Sequence, residues 1–296
     1  MSNIIIDRVI FNFTNTCYQN CEFCYIPFDK KGNGNVTIWY KIFRRCIELG
    51  AKLITFGGGD PFAVSEFQDF LLKVDEFNID IHIDTNGVFL NDGIIPIMKK
   101  VVKLVGLPLD GPRDVHSDIR KNSTHFDMVC DWIGKLIDER IPVKVHTVVT
   151  KRNINELEKL SSIIRALKVN SWHLYQFWPI GPCKHHKIKF EITKKYFLES
   201  TIQITKDFPS CNIEISTFDE RALSYFFTTS LGKVYTVDKS NNNKYVVIGN
   251  IFEKDIISKW CVHGNKLALE ERAKKRTYEQ SICLLNKDHS GLALYS

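Results

Sequence analysis

Three cysteines, Cys17, Cys21 and Cys24, stand in the run Thr16-Cys-Tyr-Gln-Asn-Cys-Glu-Phe-Cys-Tyr25, a CxxxCxxC spacing. Three thiolates on one short loop suit three corners of an iron–sulfur cube and leave the fourth iron without a protein ligand. Cubane clusters normally take four cysteines. A three-cysteine loop therefore implies an open coordination site, and an open site is where chemistry can be done. The competing reading is a zinc knuckle, which usually wants four ligands, often as paired CxxC or with histidine. No second pair stands nearby, and Cys183, Cys211, Cys261 and Cys283 are widely spaced. Cys183, His185 and His186 lie close together but lack a fourth ligand in spacing, so they read as surface residues.

The elements that must position this loop alternate. Val9–Phe13 reads as a strand, apolar and β-branched, with the cysteine loop directly after it. A helix capped by Thr37 runs to Gly50, with Ile38, Ile42 and Cys46 recurring every four residues. Lys52–Phe56 is a strand running into Gly57-Gly-Gly-Asp-Pro61, and a helix from about Val64 to Phe77 follows. Further strands are expected at Ile79–Asp84, Val101–Leu107, Val143–Val149 and Trp172–Trp178, with helices starting at Ser123 and spanning Asn155–Leu167. About six β-α repeats imply a parallel sheet whose apolar strands are buried on both faces. If that sheet closes into a barrel, the strand C-termini share one mouth. The cysteine loop, the glycine run, Thr85-Asn-Gly87 and Leu109-Asp-Gly111 all fall at such ends. After Pro179 the pattern changes to a helix over about 193–208, a strand at 213–217, a hairpin at about 233–248 and a polar helical tail after Gly264.

The loop, with the aromatic Tyr25 after it, resembles the signature loop of the radical S-adenosylmethionine (radical SAM) superfamily. The resemblance covers roughly residues 9 to 180. It implies an α/β fold, a partial (β/α)6 TIM-like barrel, with residues 181–296 as a C-terminal α+β cap. It also implies a [4Fe–4S] cluster on Cys17, Cys21 and Cys24, whose open iron binds the amino and carboxylate groups of S-adenosylmethionine. Gly58-Gly-Asp-Pro61 resembles the family's Gly-Gly-Glu-Pro motif, whose carbonyl and acid bind the methionyl ammonium. Here Asp60 replaces the usual Glu, and its alternative role is to cap a turn. Thr85 and Asn86 resemble a segment near the cofactor's ribose and methionyl part. Leu109-Asp-Gly111 with His116 and Arg120 resembles a family pattern whose arginine pairs with the cofactor carboxylate, a task suited to a planar fork of donors. Gln176 or Tyr175, at the sixth strand, suggests an adenine or substrate contact, since only one of the two can face inward. Tyr25, Gly58, Gly59, Asp60, Thr85, Asn86, Arg120 and Gln176 are thus the candidate cofactor contacts.

Composition bounds the partners. The 296 residues carry 40 Lys and Arg against 34 Asp and Glu, with 44% hydrophobic content and no basic stripe that argues for nucleic acid. The apolar N-terminal stretch, broken by Asp7 and Arg8, is too short for a membrane span. Nine cysteines, three in a ligand-like cluster, fit a reducing, cytoplasmic setting. A reductant such as flavodoxin or ferredoxin is the implied protein partner. Gly232-Lys-Val-Tyr-Thr236 and Ile248-Gly-Asn-Ile251 resemble the frame of a cysteine-rich extension found in peptide-modifying relatives. Val237 stands where that frame usually has a cysteine, which argues against auxiliary clusters. A first cysteine at residue 17 leaves no room ahead of it for a leader-peptide-binding domain. The Trp172…Gln176…Gly181 segment resembles viperin-like enzymes, which modify nucleoside triphosphates. The expected substrate is a small molecule or nucleotide; a peptide maturase and a non-catalytic iron–sulfur protein are the alternatives.

Overall fold

The computed structural model describes residues 6–26, 34–238 and 244–263, so the tail expected after Gly264 lies outside the described residues. The barrel half runs β1 (Arg8–Thr14), α1 (Val36–Glu48), β2 (Leu53–Gly58), α2 (Phe67–Val74), β3 (Asp80–Asp84), α3 (Ile95–Val101), β4 (Leu104–Pro108), α4 (Arg113–Arg120), α5 (His125–Asp138), β5 (Val143–Val149), α6 (Leu157–Ala166) and β6 (Ser171–Gln176). There follow α7 (Lys187–Phe190), α8 (Lys194–Asp207), β7 (Asn212–Ser216), α9 (Phe218–Ser224), β8 (Phe226–Thr229), β9 (Lys233–Asp238), β10 (Lys244–Asn250) and α10 (Ile256–His263).

All six expected strands pair in parallel, each with the next. The sheet then continues at both edges, in the order β10-β9-β8-β1-β2-β3-β4-β5-β6-β7. β7 extends the parallel run beyond β6, and β8 returns to pair in parallel with β1. The expected hairpin is β9–β10, antiparallel. The C-terminal segment thus contributes strands to the same sheet that carries the barrel.

Local chemistry sets the boundaries. Asn35, not Thr37, caps α1: its side chain accepts from the Ile38 N–H at 3.0 Å, and Asn ranks among the best N-caps. Gly50, at φ 99°, ends that helix in the left-handed region that favours glycine. The helix α4 was not expected, because its sequence is polar; Lys121, at φ 57°, closes it. Among the described residues no helix is long and apolar enough to cross a membrane.

The two faces of the sheet differ. Phe11, Phe13, Phe56, Ile83, Val105, Val145 and Trp172 face the helices and join one core with Ile42, Phe43, Phe70 and Val129. The opposite parity of the same strands is polar: Asn12, His82, Asp84, Lys144, His146, His173 and Tyr175. Most of these are buried as well, so the expectation that both faces are buried holds, but the inner one is not apolar.

Around Phe56 the rings of Phe11, Phe13, Phe43, Phe67 and Phe70 lie 5.5–6.2 Å away, centroid to centroid. Removing the central ring leaves a cavity its neighbours cannot close. Phe56→Ala should cost about 3–5 kcal/mol of unfolding free energy, read from the urea midpoint at unchanged slope.

Candidate active site

The inner face ends in a cavity at the C-terminal ends of the strands. Cys17, Cys21, Cys24 and Tyr25 border it after β1, and the backbone of Gly57, Gly58 and Gly59 borders it after β2. Thr85 and Asn86 follow β3, and Arg120 enters from α4. The far wall is Tyr175, Trp178 and Arg221, above a floor that includes Asp84 and His146.

The three thiols are half-buried on the cavity rim. Burial raises the Cys17 and Cys21 thiols above their ordinary value and pushes Cys24 up to about 12. Free thiolates are therefore disfavoured there; a bound metal would be what ionises them. Among the described residues no three His, Cys, Asp or Glu side chains converge on one metal ion. Two side-chain N–H donors already point at the sulfurs, beside backbone bonds from Gln19 to Cys17 and from Ile26 to Cys24. Asn86 Nδ2 lies 3.5 Å from Cys17 Sγ and Arg120 Nη1 lies 3.8 Å from Cys21 Sγ. The donor set fits an iron–sulfur cluster.

The glycine run holds the cysteine loop. Gly59 N–H donates to Thr14 O at 2.7 Å and Asp60 N–H to Thr16 O at 2.8 Å. A Cβ on Gly59 would stand 2.1 Å from Thr16 O, and one on Gly58 2.4 Å from Thr14 O. Only glycine permits that approach, and Gly58 also sits at φ 105°.

Asp60 does not border the cavity. Its Oδ1 accepts from Phe62 N at 2.9 Å, and its Oδ2 accepts from Thr85 Oγ1 at 2.8 Å and Asn86 N at 2.7 Å. The carboxylate expected to meet the methionyl ammonium is fully buried and occupied by these donors. The capping alternative describes it, extended to the next strand's loop. Burial pushes its carboxyl above the ordinary range, against the three hydrogen bonds.

Gln176 also departs from expectation. It shares the parity of Trp172 and Leu174, which pack into the core. Its amide donates to Ile192 O and accepts from Phe218 N, each at 3.2 Å. Tyr175 is the residue that faces the cavity. Its hydroxyl lies 3.1 Å from His173 Nδ1.

Arg120 Nε bonds Asp110 Oδ2 at 2.6 Å, and its guanidinium lies 4.9 Å from the Phe23 ring centroid. Burial alone would raise the Asp110 carboxyl, but the Arg120 charge takes it below its ordinary value. Tyr25 packs on Trp178 at 5.7 Å, and its carbonyl accepts from the Tyr245 hydroxyl of β10. Sequence reasoning missed the inner-face ion pair of Lys144 and Asp84, 2.8 Å apart. Register puts Gly106 between them, and a Cβ there would stand 2.2 Å from Asp84 Oδ1. It also missed Arg221 of α9, which donates to Gln176 O and lies 5.2 and 4.9 Å from the Tyr175 and Trp178 rings.

Fold and site define a partial parallel barrel carrying a three-cysteine cluster loop at its strand ends. Comparison with known proteins gives the family: the model of the radical SAM superfamily matches residues 11–163. The chain belongs to the radical SAM superfamily, whose members use S-adenosylmethionine and an iron–sulfur cluster. It is 26% identical over 193 residues to an S-adenosylmethionine-dependent nucleotide dehydratase of Flammeovirga pacifica, covering 60% of this chain and 65% of that one. It is 22% identical over 147 residues to the sporulation killing factor maturation protein SkfB of Bacillus subtilis, covering 49% of this chain and 36% of that one. It thus spans less than two thirds of either curated relative. The fold matches the crystal structure of Streptococcus suis SuiB bound to precursor peptide SuiA at a TM-score of 0.67. That match has 15% identity and covers 89% of this chain and 66% of that one.

Two outcomes follow. Asp60→Ala leaves three buried donors without an acceptor and should cost at least about 3 kcal/mol, measured by urea denaturation. Separately, burial holds His116, His125, His146 and His173 well below their ordinary value, at about 3, 4, 4 and 4. The unfolded chain, titrating near ~6.5, then binds more protons than the folded one as pH falls. Stability from these groups should be level above pH ~6.5 and decline toward pH 4. Urea midpoints between pH 8 and pH 4.5 check this, and His173→Gln should flatten the decline.

Proposed function

We propose that this chain is a radical SAM enzyme that acts on a small molecule or nucleotide. The observation that carries this reading is that the cysteine loop, the glycine run, the Thr85-Asn86 segment and Arg120 border one cavity at the strand C-termini. In this reading Cys17, Cys21 and Cys24 hold a [4Fe–4S] cluster. Gly58 and Gly59 offer backbone to the methionyl ammonium, and Thr85 and Asn86 flank the same part of the cofactor. Arg120, fixed by Asp110 through Nε and directing Nη1 at Cys21, would offer its other terminal nitrogen, Nη2, to a carboxylate. When bound, the cluster and S-adenosylmethionine supply a 5′-deoxyadenosyl radical able to take hydrogen from a substrate C–H bond. The residues bind and orient the reacting groups.

The nucleotide assignment draws support from the dehydratase relative and from the far wall. Tyr175 and Trp178 offer aromatic surface for a base, and Arg221 places one cation beside them. SkfB, a maturation protein by name, favours the second reading, a peptide maturase without auxiliary clusters.

The test is 5′-deoxyadenosine formation by anaerobically reconstituted protein with dithionite and S-adenosylmethionine. Wild type should form it, Cys24→Ala should lose it entirely, and one member of a nucleoside triphosphate panel should raise the rate and be consumed. A reducible cluster with no product under any condition would mean a non-catalytic iron–sulfur protein. Rate enhancement by peptides alone would transfer the assignment to the second reading.

A further inference from the structure

We propose that His116 and His125 form a one-way hydrogen-bond strut that positions Asn86 against the cluster ligand Cys17 and so helps set the cluster's reduction potential. This rests on the reading that the cysteines hold a cluster.

The direction of the strut follows from its ends. Asp110 N–H donates to His116 Nδ1 at 3.0 Å, so the His116 proton must sit on Nε2. That nitrogen lies 2.7 Å from His125 Nδ1, which therefore accepts and leaves the His125 proton on Nε2. His125 Nε2 lies 2.8 Å from Asn86 O, an acceptor only. One tautomer of each ring satisfies all three bonds, and a proton added to either ring would put two donors face to face. The rings are coplanar within 5°, edge to edge at 5.0 Å between centroids. Both side chains are wholly buried, and burial favours the neutral form of each.

Both ends of the strut are anchored. At one end, Asp110 accepts from Val148 N at 2.9 Å through Oδ1 and from Asn153 Nδ2 at 2.7 Å through its carbonyl. Its Oδ2 holds Arg120, whose guanidinium reaches Cys21. At the other end, Asn86 Oδ1 accepts from Val88 N at 2.9 Å. That bond turns the amide nitrogen toward Cys17 Sγ. Two imidazoles thus fix the spacing between the two loops that each direct an N–H at a different cysteine. An electron added to a cluster spreads onto its sulfurs, and N–H donors aimed at sulfur stabilise it. Such outer-shell donors tune reduction potential. His116 and His125 are positioning residues, acting through Asn86.

The test compares wild type, His125→Phe and His125→Gln, reconstituted and checked for equal iron content and a cooperative melt. The midpoint potential of the cluster is measured by electron paramagnetic resonance titration without S-adenosylmethionine. His125→Phe should shift the potential to more negative values. His125→Gln, which keeps an amide donor in reach of Asn86 O, should move it back toward wild type. Equal potentials in wild type and His125→Phe, or equal shifts in both variants, would overturn the proposal. On cluster-free, 15N-labelled protein at pH 7, both rings should show the Nε2–H pattern. A charged ring or an Nδ1–H ring would overturn the strut directly. Neither measurement needs cofactor cleavage, so failure of the proposed enzyme activity would be seen separately.

Discussion

Three strand-end loops meet on Asp60, and the site depends on that meeting. Its backbone N–H binds the cysteine loop at Thr16, its Oδ1 caps the turn after β2, and its Oδ2 holds Thr85 and Asn86 after β3. A carboxylate in a fully buried place is costly unless its lone pairs are filled, and here protein donors supply hydrogen bonds to both oxygens. The arrangement explains why an aspartate suits this position. With one methylene fewer than glutamate, it folds back on its own loop and the next. At this turn it is the glycine backbone, and not the carboxylate, that borders the cavity.

The same economy of space recurs on the inner face of the sheet. Outward residues pack against helices as an ordinary apolar core, while inward residues hold charges and imidazoles beneath the cavity. Gly106 makes the Lys144–Asp84 pair possible across three strands. Burial would otherwise raise the Asp84 carboxyl, but the Lys144 charge brings it below its ordinary range. The Lys144–Asp84 pair balances charge on the polar floor, while Tyr175, Trp178 and Arg221 line the far wall of the cavity.

Much of this was legible from residues alone. Six strands, their parallel order, the hairpin and the strand-end placement of the cysteine loop follow from β-branched runs and helical periodicity, which are strong local signals. Three things were not. The α4 helix has a mostly polar sequence whose apolar stripe is only Val115 and Ile119, packed against Phe23, Phe177 and Phe190. The role of Asp60 depends on loops 25 residues apart meeting in space. The facing of β6 turns on a one-residue parity, which puts Tyr175 inward and Gln176 outward. One missed feature was readable: Asp80-Ile-His-Ile-Asp84 and Val143-Lys-Val-His146 alternate strictly, which marks strands with one apolar and one polar face. The His116–His125 pair could not be foreseen, since nothing in the spacing of two histidines nine residues apart reveals which acceptors they reach.

The central claim is that three cysteines present a cluster whose fourth iron is open to S-adenosylmethionine. The most direct measurement is the electron paramagnetic resonance spectrum of the reduced, reconstituted protein before and after S-adenosylmethionine is added. The account predicts a reduced [4Fe–4S] signal whose g-values change when the cofactor binds. A spectrum untouched by saturating cofactor, or a protein that binds zinc in place of a cluster, would contradict it.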